Sequence, residues 1–108
     1  MNVSLVYITA PDADVAQAIA DYLVEHKLAA CVGFLPGQKS TYRWEGKVEH
    51  TQECVMFVKT ATDKVDILIN AVKKMHPYEV PCILAMPVAA GFPAFIQWIQ
   101  EETKNEVL

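Results

Sequence analysis

The sequence predicts an α+β domain whose strands form one antiparallel sheet, and three observations support this prediction. Short apolar runs of strand length alternate with segments in which apolar residues recur at helical spacing. Two strand-like segments follow each other in the middle of the chain, joined by a short polar turn. The 108 residues, of which 53% are hydrophobic and 20% charged, are enough to close one core. We therefore expect a single domain over residues 1–108.

The first half of the chain alternates strand, helix and strand. Residues 3–9 are apolar on both faces, as in a central strand that is covered on both sides. Asp12 is a suitable N-cap for a helix that should extend to about residue 27 or 28. A second strand begins at residue 29 and resumes over residues 40–44, and the intervening Pro36-Gly37 pair predicts a bulge or a sharp bend.

The middle of the chain predicts a long hairpin followed by a second helix. Glu45-Gly46 forms the expected turn, after which residues 47–59 run back antiparallel to the second strand. The hairpin should be apolar near the body and polar at its tip. Thr60 or Thr62 is expected to cap the second helix, which should end at His76 because a proline follows.

The last part of the chain predicts one more strand and one more helix. Residues 80–88 form an apolar run with a proline near each end, and Pro93 is well placed to open a helix. Val107-Leu108 would either fray or add a short edge strand. The resulting β-α-β-β-α-β order with a terminal helix is that of a ferredoxin-like fold, in which two helices pack on one face of the sheet.

Composition and charge exclude several classes of protein. The formal net charge of −4 argues against nucleic acid as a partner, because phosphate contacts supply most of that affinity. No apolar run is long enough to span a bilayer, and the first residues lack the basic region of a signal peptide. We therefore expect a cytoplasmic protein. The 3 cysteines include no C-x-x-C pair, which argues against a disulfide framework or a zinc ribbon.

The hairpin also predicts association between copies of the chain. Its two strands are too long for one small sheet, so the tip should extend beyond the body. Tyr42 and Trp44 alternate onto one face of that tip. Such large apolar groups would need another subunit to cover them, so we expect a compact homo-oligomer.

The segment His76-Pro77-Tyr78-Glu79-Val80-Pro81 has the highest density of functional groups in the chain. It places an imidazole, a phenol and a carboxylate between two prolines, each of which restricts its own φ angle and the residue before it. A stiff, extended segment of this kind suits a binding site. It equally suits a plain connection between a helix and a strand.

A set of short segments runs in a fixed order along nearly the whole chain. They are Thr9-Ala10-Pro11-Asp12, Leu28-Ala29-Ala30-Cys31-Val32, Leu35-Pro36-Gly37, Ser40-x-Tyr42-x-Trp44-x-Gly46-Lys47-Val48-Glu49, Lys59-Thr60, the segment that starts at His76, Gly91 and Trp98. This set resembles the CutA (divalent-cation tolerance) family. The resemblance implies a ferredoxin-like fold, a homotrimer, a cytoplasmic location and a link to copper and other divalent metals.

The resemblance also implies candidate site residues. It suggests His76 and Cys31 as ligands for copper or another divalent metal, and Glu79 and Cys82 are further residues of ligand type nearby in sequence. For the trimer interface, the candidates are the aromatic residues Trp44, Tyr42 and Tyr78.

Other interpretations of these residues stay open from sequence alone. His76 could simply end a helix, since a protonated histidine is stabilised at a helix C-terminus. Glu79 could form an ion pair between subunits, and Cys31 could be an inert core thiol. A trimeric signalling or scaffold module similar to the PII proteins would bind a small molecule in clefts between subunits and need no metal.

An enzyme is the third possibility, and the sequence offers little for it. Cys31, His76 and Glu79 would be a plausible catalytic set if they met in space. The chain has neither a Gly-rich phosphate loop nor a nucleophile elbow. We therefore expect a protein that is not an enzyme.

Overall fold

The computed structural model describes residues 2–105 and contains one four-stranded sheet with the order β2-β3-β1-β4. All neighbouring strands are antiparallel. The strands are β1 (Val3–Ala10), β2 (Cys31–Trp44), β3 (Lys47–Ala61) and β4 (Ile83–Pro87), and the helices are α1 (Ala13–Glu25), α2 (Val65–Met75) and α3 (Pro93–Glu102). The predicted α+β, ferredoxin-like fold is confirmed. The expectation for Val107-Leu108 lies outside the described residues.

One face of the sheet, which we call the helix-covered face, carries the main core. Alternate residues of β1 and β3 point to this face, where α1 and α2 pack on them. The largest fully buried side chains of this core are Val6, Ile8, Ile19, Leu23, Met56, Val58, Leu68 and Val72. Their burial supplies the main driving force for folding of the single chain. Within residues 2–105, no helix is both long and apolar enough to cross a membrane.

Helix α1 begins and ends at clear local signals. The carboxylate of Asp12 accepts a hydrogen bond from the backbone N–H of Val15 at 2.9 Å, which confirms the predicted cap. At the other end, Lys27 adopts a positive φ of 57°, and the N–H of Leu28 donates to the carbonyl of Leu23 at 2.8 Å. This is the bonding of a Schellman motif, and it turns the chain toward β2.

The predicted hairpin is confirmed, including its bulge and its turn. Strands β2 and β3 have 14 and 15 residues, and their register shifts between Leu35 and Gln38. Glu45 and Gly46 both have positive φ angles, 50° and 80°, as a two-residue turn of type I′ requires. The hairpin contributes to a long molecular axis of 49 Å, against 29 and 22 Å for the others.

Two local predictions were wrong. Neither Thr60 nor Thr62 caps α2, because the Thr60 hydroxyl donates to the carbonyl of Leu28 at 2.6 Å and the Thr62 hydroxyl bonds that of Ser4 at 2.9 Å. A short 3-10 turn over Thr62–Lys64 leads into the helix instead. The fourth strand is also shorter than residues 80–88, since regular pairing with β1 starts only after Pro81 and Cys82.

The other face of the sheet, which we call the open face, is only partly covered within one chain. Helix α3 packs on its end at Val3, through Ile96 and Ile99. The rest keeps apolar side chains in contact with solvent, and Leu84 is 61% and Met86 45% exposed. The apolar side chains of the open face include Leu5, Tyr7, Leu35, Phe57, Leu84 and Met86. In the single chain, β1 is therefore not covered on both sides as its sequence suggests.

Candidate ligand pocket on the open face

His76 is a positioning residue that ties the end of α2 to β1. Its ring is 7% exposed, with Nε2 lying 2.7 Å from the carbonyl oxygen of Thr9. The backbone N–H of Tyr78 donates to Nδ1 at 3.2 Å. Because the carbonyl can only accept, Nε2 carries the proton and Nδ1 is the acceptor. Both ring nitrogens are thus used inside the chain, and they fix where Tyr78 lies.

Glu53 is the acidic group on which the neighbouring side chains converge. It lies on β3, on the same face as Phe57, and is only 8% exposed. One carboxylate oxygen accepts from the Tyr78 hydroxyl at 3.2 Å and the other from the Ser40 hydroxyl at 3.0 Å. The Gln38 amide donates to Ser40 Oγ at 3.2 Å and extends the network into β2.

The same network reaches β1 through Tyr7. The Gln38 amide also donates to the Tyr7 hydroxyl at 3.1 Å, and the Tyr7 ring meets Phe57 edge-on at 6.5 Å between centroids. Strands β1, β2 and β3 therefore each contribute a polar group to one hydrogen-bonded cluster. Such buried clusters are costly to leave incomplete, so they fix side-chain positions.

Burial and the charge of Glu53 raise the pKa values of two groups at the cluster, the Tyr78 phenol and the Cys82 thiol. Burial, and then the charge and hydrogen bond of Glu53, raise the pKa of Tyr78 to about 12. Burial and the charge of Glu53 also raise the pKa of the Cys82 thiol, although a hydrogen bond with the Thr9 side chain acts in the opposite direction. Tyr78 is thus a hydrogen-bond donor at neutral pH, and Cys82 is a thiol rather than an activated thiolate.

These residues surround a pocket of about 680 Å³, which we call the Glu53 pocket. Four aromatic rings line it, from Tyr7 on β1, from Tyr42 and Trp44 on the hairpin, and from Tyr78 on the segment after α2. The Thr51 hydroxyl oxygen is buried at this pocket and has no hydrogen-bond partner among the described residues. The pocket therefore combines aromatic walls with a buried carboxylate and an unsatisfied hydroxyl.

Comparisons with known proteins agree with this architecture. A family model described as CutA1 divalent ion tolerance protein matches residues 4–102. The chain belongs to this family. It is 46% identical over 99 residues to the divalent-cation tolerance protein CutA of Thermus thermophilus, covering 92% of this chain and 96% of that protein. It is 39% identical to mouse Protein CutA, covering 96% of this chain but only 59% of the mouse protein.

A solved structure in the same family has the same fold. The crystal structure of CutA from Xylella fastidiosa superposes with a TM-score of 0.94 at 41% identity, and the alignment covers 96% of this chain and 100% of that one. The names of the relatives in the family describe divalent-cation tolerance rather than an enzymatic reaction. The fold and the family-level role in divalent-cation tolerance are thus supported by similarity over nearly the whole chain.

The structure does not bring all four candidate metal ligands together. Cys31 pairs with Lys59, whose Nζ lies 3.8 Å from the thiol sulfur, next to Leu5 of β1. Cys82 lies beside Thr9, four residues further along β1, which corresponds to about 13 Å of extended strand. The two thiols are therefore at opposite ends of the open face.

Among the remaining candidates, Glu79 and Cys82 both line the Glu53 pocket, and His76 is held in its own hydrogen bonds. Within residues 2–105, no three histidine, cysteine or acidic side chains are grouped so that they could hold a metal ion. The described part of one chain thus does not supply a complete donor set of the kind that a metal site needs.

Sequence reasoning missed Glu53 and its partners Ser40 and Gln38. The sequence does contain an indication of its role. Glu53 lies on the same strand face as Val55 and Phe57, in a strand whose two faces are both mostly apolar. A carboxylate at such a position is either paired or functional, since an isolated buried charge is unfavourable. The aromatic residues Tyr42, Trp44 and Tyr78 do lie together at the pocket.

Proposed function

We propose that this chain acts in divalent-cation tolerance as a cytoplasmic homotrimer that binds copper or another divalent metal ion, and that it is not an enzyme. The observation that carries the assembly is the open face. Its apolar side chains, including Leu84 and Met86, stay exposed in one chain. Large apolar patches of this kind on a folded domain are typical of subunit interfaces.

The hairpin supports the same assembly. Trp44 and Tyr42 lie near its tip and are about 40% exposed, at 40% and 41%. Packing between copies would cover these rings, and Tyr78 would then lie close to the interface. Light scattering should return three times the 12.0 kDa mass of one chain at micromolar concentration. A stable monomer would contradict the proposed trimer.

The cytoplasmic location is supported by cysteine chemistry. Cys31, Cys54 and Cys82 are all unpaired thiols, as is usual in a reducing compartment. Fractionation of cells that express the tagged chain tests this part of the proposal. Recovery in an oxidising compartment would contradict it.

For the metal, we propose a site that is completed by more than one copy. Cys82 and Glu79 are the two suggested ligands that face the Glu53 pocket, while Cys31 and His76 are engaged elsewhere. Two donors from one chain are too few for a specific site, so the remaining donors must come from a neighbouring copy. A thiol in the set would favour copper(I) over harder ions.

Copper titration by calorimetry tests this proposal. We expect Cys82→Ser to weaken copper binding at least tenfold, and Cys31→Ser, a matched change at the other end of the open face, to leave it unchanged. His76→Ala should act indirectly, by loosening the segment that carries Glu79 and Cys82. Equal affinities in wild type and Cys82→Ser would rule out this site.

A second candidate function is favoured by the Glu53 pocket itself. A trimeric module similar to the PII signalling proteins would hold a small molecule between subunits and need no metal. The pocket volume of about 680 Å³ and its mixed aromatic and polar walls are of the kind that small ligands use. Ligand binding that persists in a strong chelator would support this second function over the first.

A further inference from the structure

The buried carboxylate of Glu53 lacks a cationic partner in the part of the chain that is described. Its side chain is 8% exposed, yet both hydrogen bonds to it come from the neutral hydroxyls of Ser40 and Tyr78. Taking a carboxylate out of water costs several kcal/mol unless a cation or several donors compensate it. Its two oxygens offer about four acceptor sites, so roughly half of the acceptor capacity remains.

The charge of Glu53 acts on two other groups at the pocket. That charge is a cause of the raised pKa values of both Tyr78 and Cys82. The hydrogen-bond network of Ser40 and Gln38 ends in hydroxyl and amide groups and adds no positive charge. The electrostatic potential in the pocket is therefore negative, so a positively charged ligand would be attracted to it more strongly than a neutral or anionic one.

The walls of the pocket favour an organic cation over an inorganic one. The rings of Tyr42, Trp44 and Tyr78 line the pocket. Aromatic rings attract ammonium and guanidinium groups through their π faces and also bury the carbon atoms of such ligands. The unsatisfied Thr51 oxygen lies two residues from Glu53 on the same face of β3 and is a second acceptor for an N–H donor. An inorganic ion has no carbon atoms to bury against these rings, so the rings favour it less than they favour an organic cation.

Other ligand classes fit less well. An anion would be repelled by Glu53, and a neutral apolar molecule would leave the carboxylate and the Thr51 hydroxyl unpaired in a drier pocket. We infer that the Glu53 pocket binds an organic cation with N–H donors, a guanidinium or a primary ammonium group. This inference rests on and deepens the small-molecule function proposed above. The proposed copper ligands Cys82 and Glu79 line the same pocket, so the two proposals are tested with separate titrations.

The cation has two possible sources with the same chemistry. One is a free small molecule, for which the pocket has ample volume. The other is a side chain from a second copy of the chain, and Arg43 is the best candidate because it lies exposed near the tip of the long hairpin. The experiment must separate these sources.

Calorimetry with ethylguanidinium chloride and with ethylurea, its neutral isostere, tests the inference in a chelating buffer. If the source is a free molecule, wild type binds ethylguanidinium but not ethylurea, and Glu53→Gln weakens binding at least tenfold. Glu25→Gln makes the same change at an exposed position at the end of α1 and should bind like wild type. Circular dichroism checks that both variants are folded.

If the source is a second copy, the occupied pocket does not bind added ethylguanidinium in wild type. Arg43→Gln should then open the pocket to ethylguanidinium, and both Arg43→Gln and Glu53→Gln should lower the assembled mass or raise the concentration needed for assembly. If Glu53→Gln does not fold, binding of ethylguanidinium and ethylurea to wild type and to Arg43→Gln still tests whether the pocket selects a cation.

Two results would overturn the inference. The first is equal binding of ethylurea and ethylguanidinium. The second is the absence of ethylguanidinium binding in both wild type and Arg43→Gln. A normal copper titration beside either result would show that the metal proposal stands while this inference fails, and a failed copper titration beside specific ethylguanidinium binding would show the reverse.

Discussion

The two faces of the sheet differ in how far a single chain buries them. On the helix-covered face, Val6, Ile8 and Met56 are fully buried under helices from the same chain. On the open face, Leu84 and Met86 are left partly in solvent, and the same face carries the buried carboxylate of Glu53. The helix-covered face is buried within one chain, whereas the open face needs another molecule to cover its apolar side chains.

This difference separates what the chain needs for folding from what it needs for function. Each fully buried aliphatic side chain of the helix-covered face contributes roughly 1.5–3 kcal/mol, with no requirement for a partner. The open face gains its full contribution only when another surface covers it. Mutations on the two faces should therefore differ in whether their effects depend on protein concentration.

The largest expected effect is on the helix-covered face. Leu23→Ala removes a fully buried side chain of α1, so we expect the free energy of unfolding to fall by about 3 kcal/mol. Urea denaturation at two protein concentrations measures it. Val24→Ala changes the adjacent, 44% exposed residue and should cost less than about 1 kcal/mol. Similar losses in the two variants would contradict the core described for this face.

The next effect concerns the open face. Leu84→Asp places a charge in the exposed apolar surface, and we expect it to lower the assembled mass while the circular dichroism spectrum is retained. The control Ile67→Asp makes the same change on α2, where the side chain is 56% exposed but outside the open face. If light scattering gave the same mass for Leu84→Asp and wild type, the open face would not be an interface.

A third effect lies in the pH dependence of the Glu53 pocket. Folding raises the pKa of Tyr78 from 10.0 to about 12, so the folded state holds this proton more tightly than the unfolded state. The stabilisation is complete below pH 10 and is lost as the pH rises toward 12. Urea denaturation from pH 9 to 12 should show a steeper decline for wild type than for Tyr78→Phe.

The same tyrosine gives a direct optical test. In Glu53→Gln, the ultraviolet titration of Tyr78 should move to lower pH, because one cause of its raised pKa is removed. It should stay above 10, since burial is the larger cause. An unchanged titration curve would contradict the contact between the two side chains.

The smallest expected effect is local and lies outside the open face. Asp12→Ala removes the N-cap of α1 and should lower the free energy of unfolding by about 1 kcal/mol, with no change in assembled mass. Asp12→Asn keeps a capping oxygen and should retain most of that stability. Equal losses in both variants would show that the charge, rather than the cap, matters.

The sequence predicted best what depends on local chemistry. The Asp12 cap and the turn at Glu45-Gly46 are set by residues within a few positions of each other, and both were found. The hydroxyl of Thr60 was misassigned as a cap because its acceptor, the carbonyl of Leu28, is 32 residues away in the chain. Local patterns carry no information about such a partner.

The hydrogen-bond partners at the candidate site could not be predicted from sequence, for the same reason. His76 was singled out as a ligand, but its ring bonds Thr9, which is 67 residues distant in sequence, and is used for positioning. Glu53 was not predicted as a site residue, because its hydrogen-bond donors Ser40 and Tyr78 are distant in sequence and become its neighbours only in the folded chain. The aromatic set was found because Tyr42 and Trp44 alternate on one strand.

Position 9 serves the pocket through two separable routes. Its backbone carbonyl anchors His76, so a substitution of similar size leaves this bond and the placement of Tyr78 in place. Its side-chain hydroxyl opposes the rise in the pKa of the Cys82 thiol. Replacing Thr9 with valine would therefore leave the architecture in place and make the thiol harder to ionise. The reactivity of Cys82 can thus be tuned at one residue without redesigning the segment that carries it.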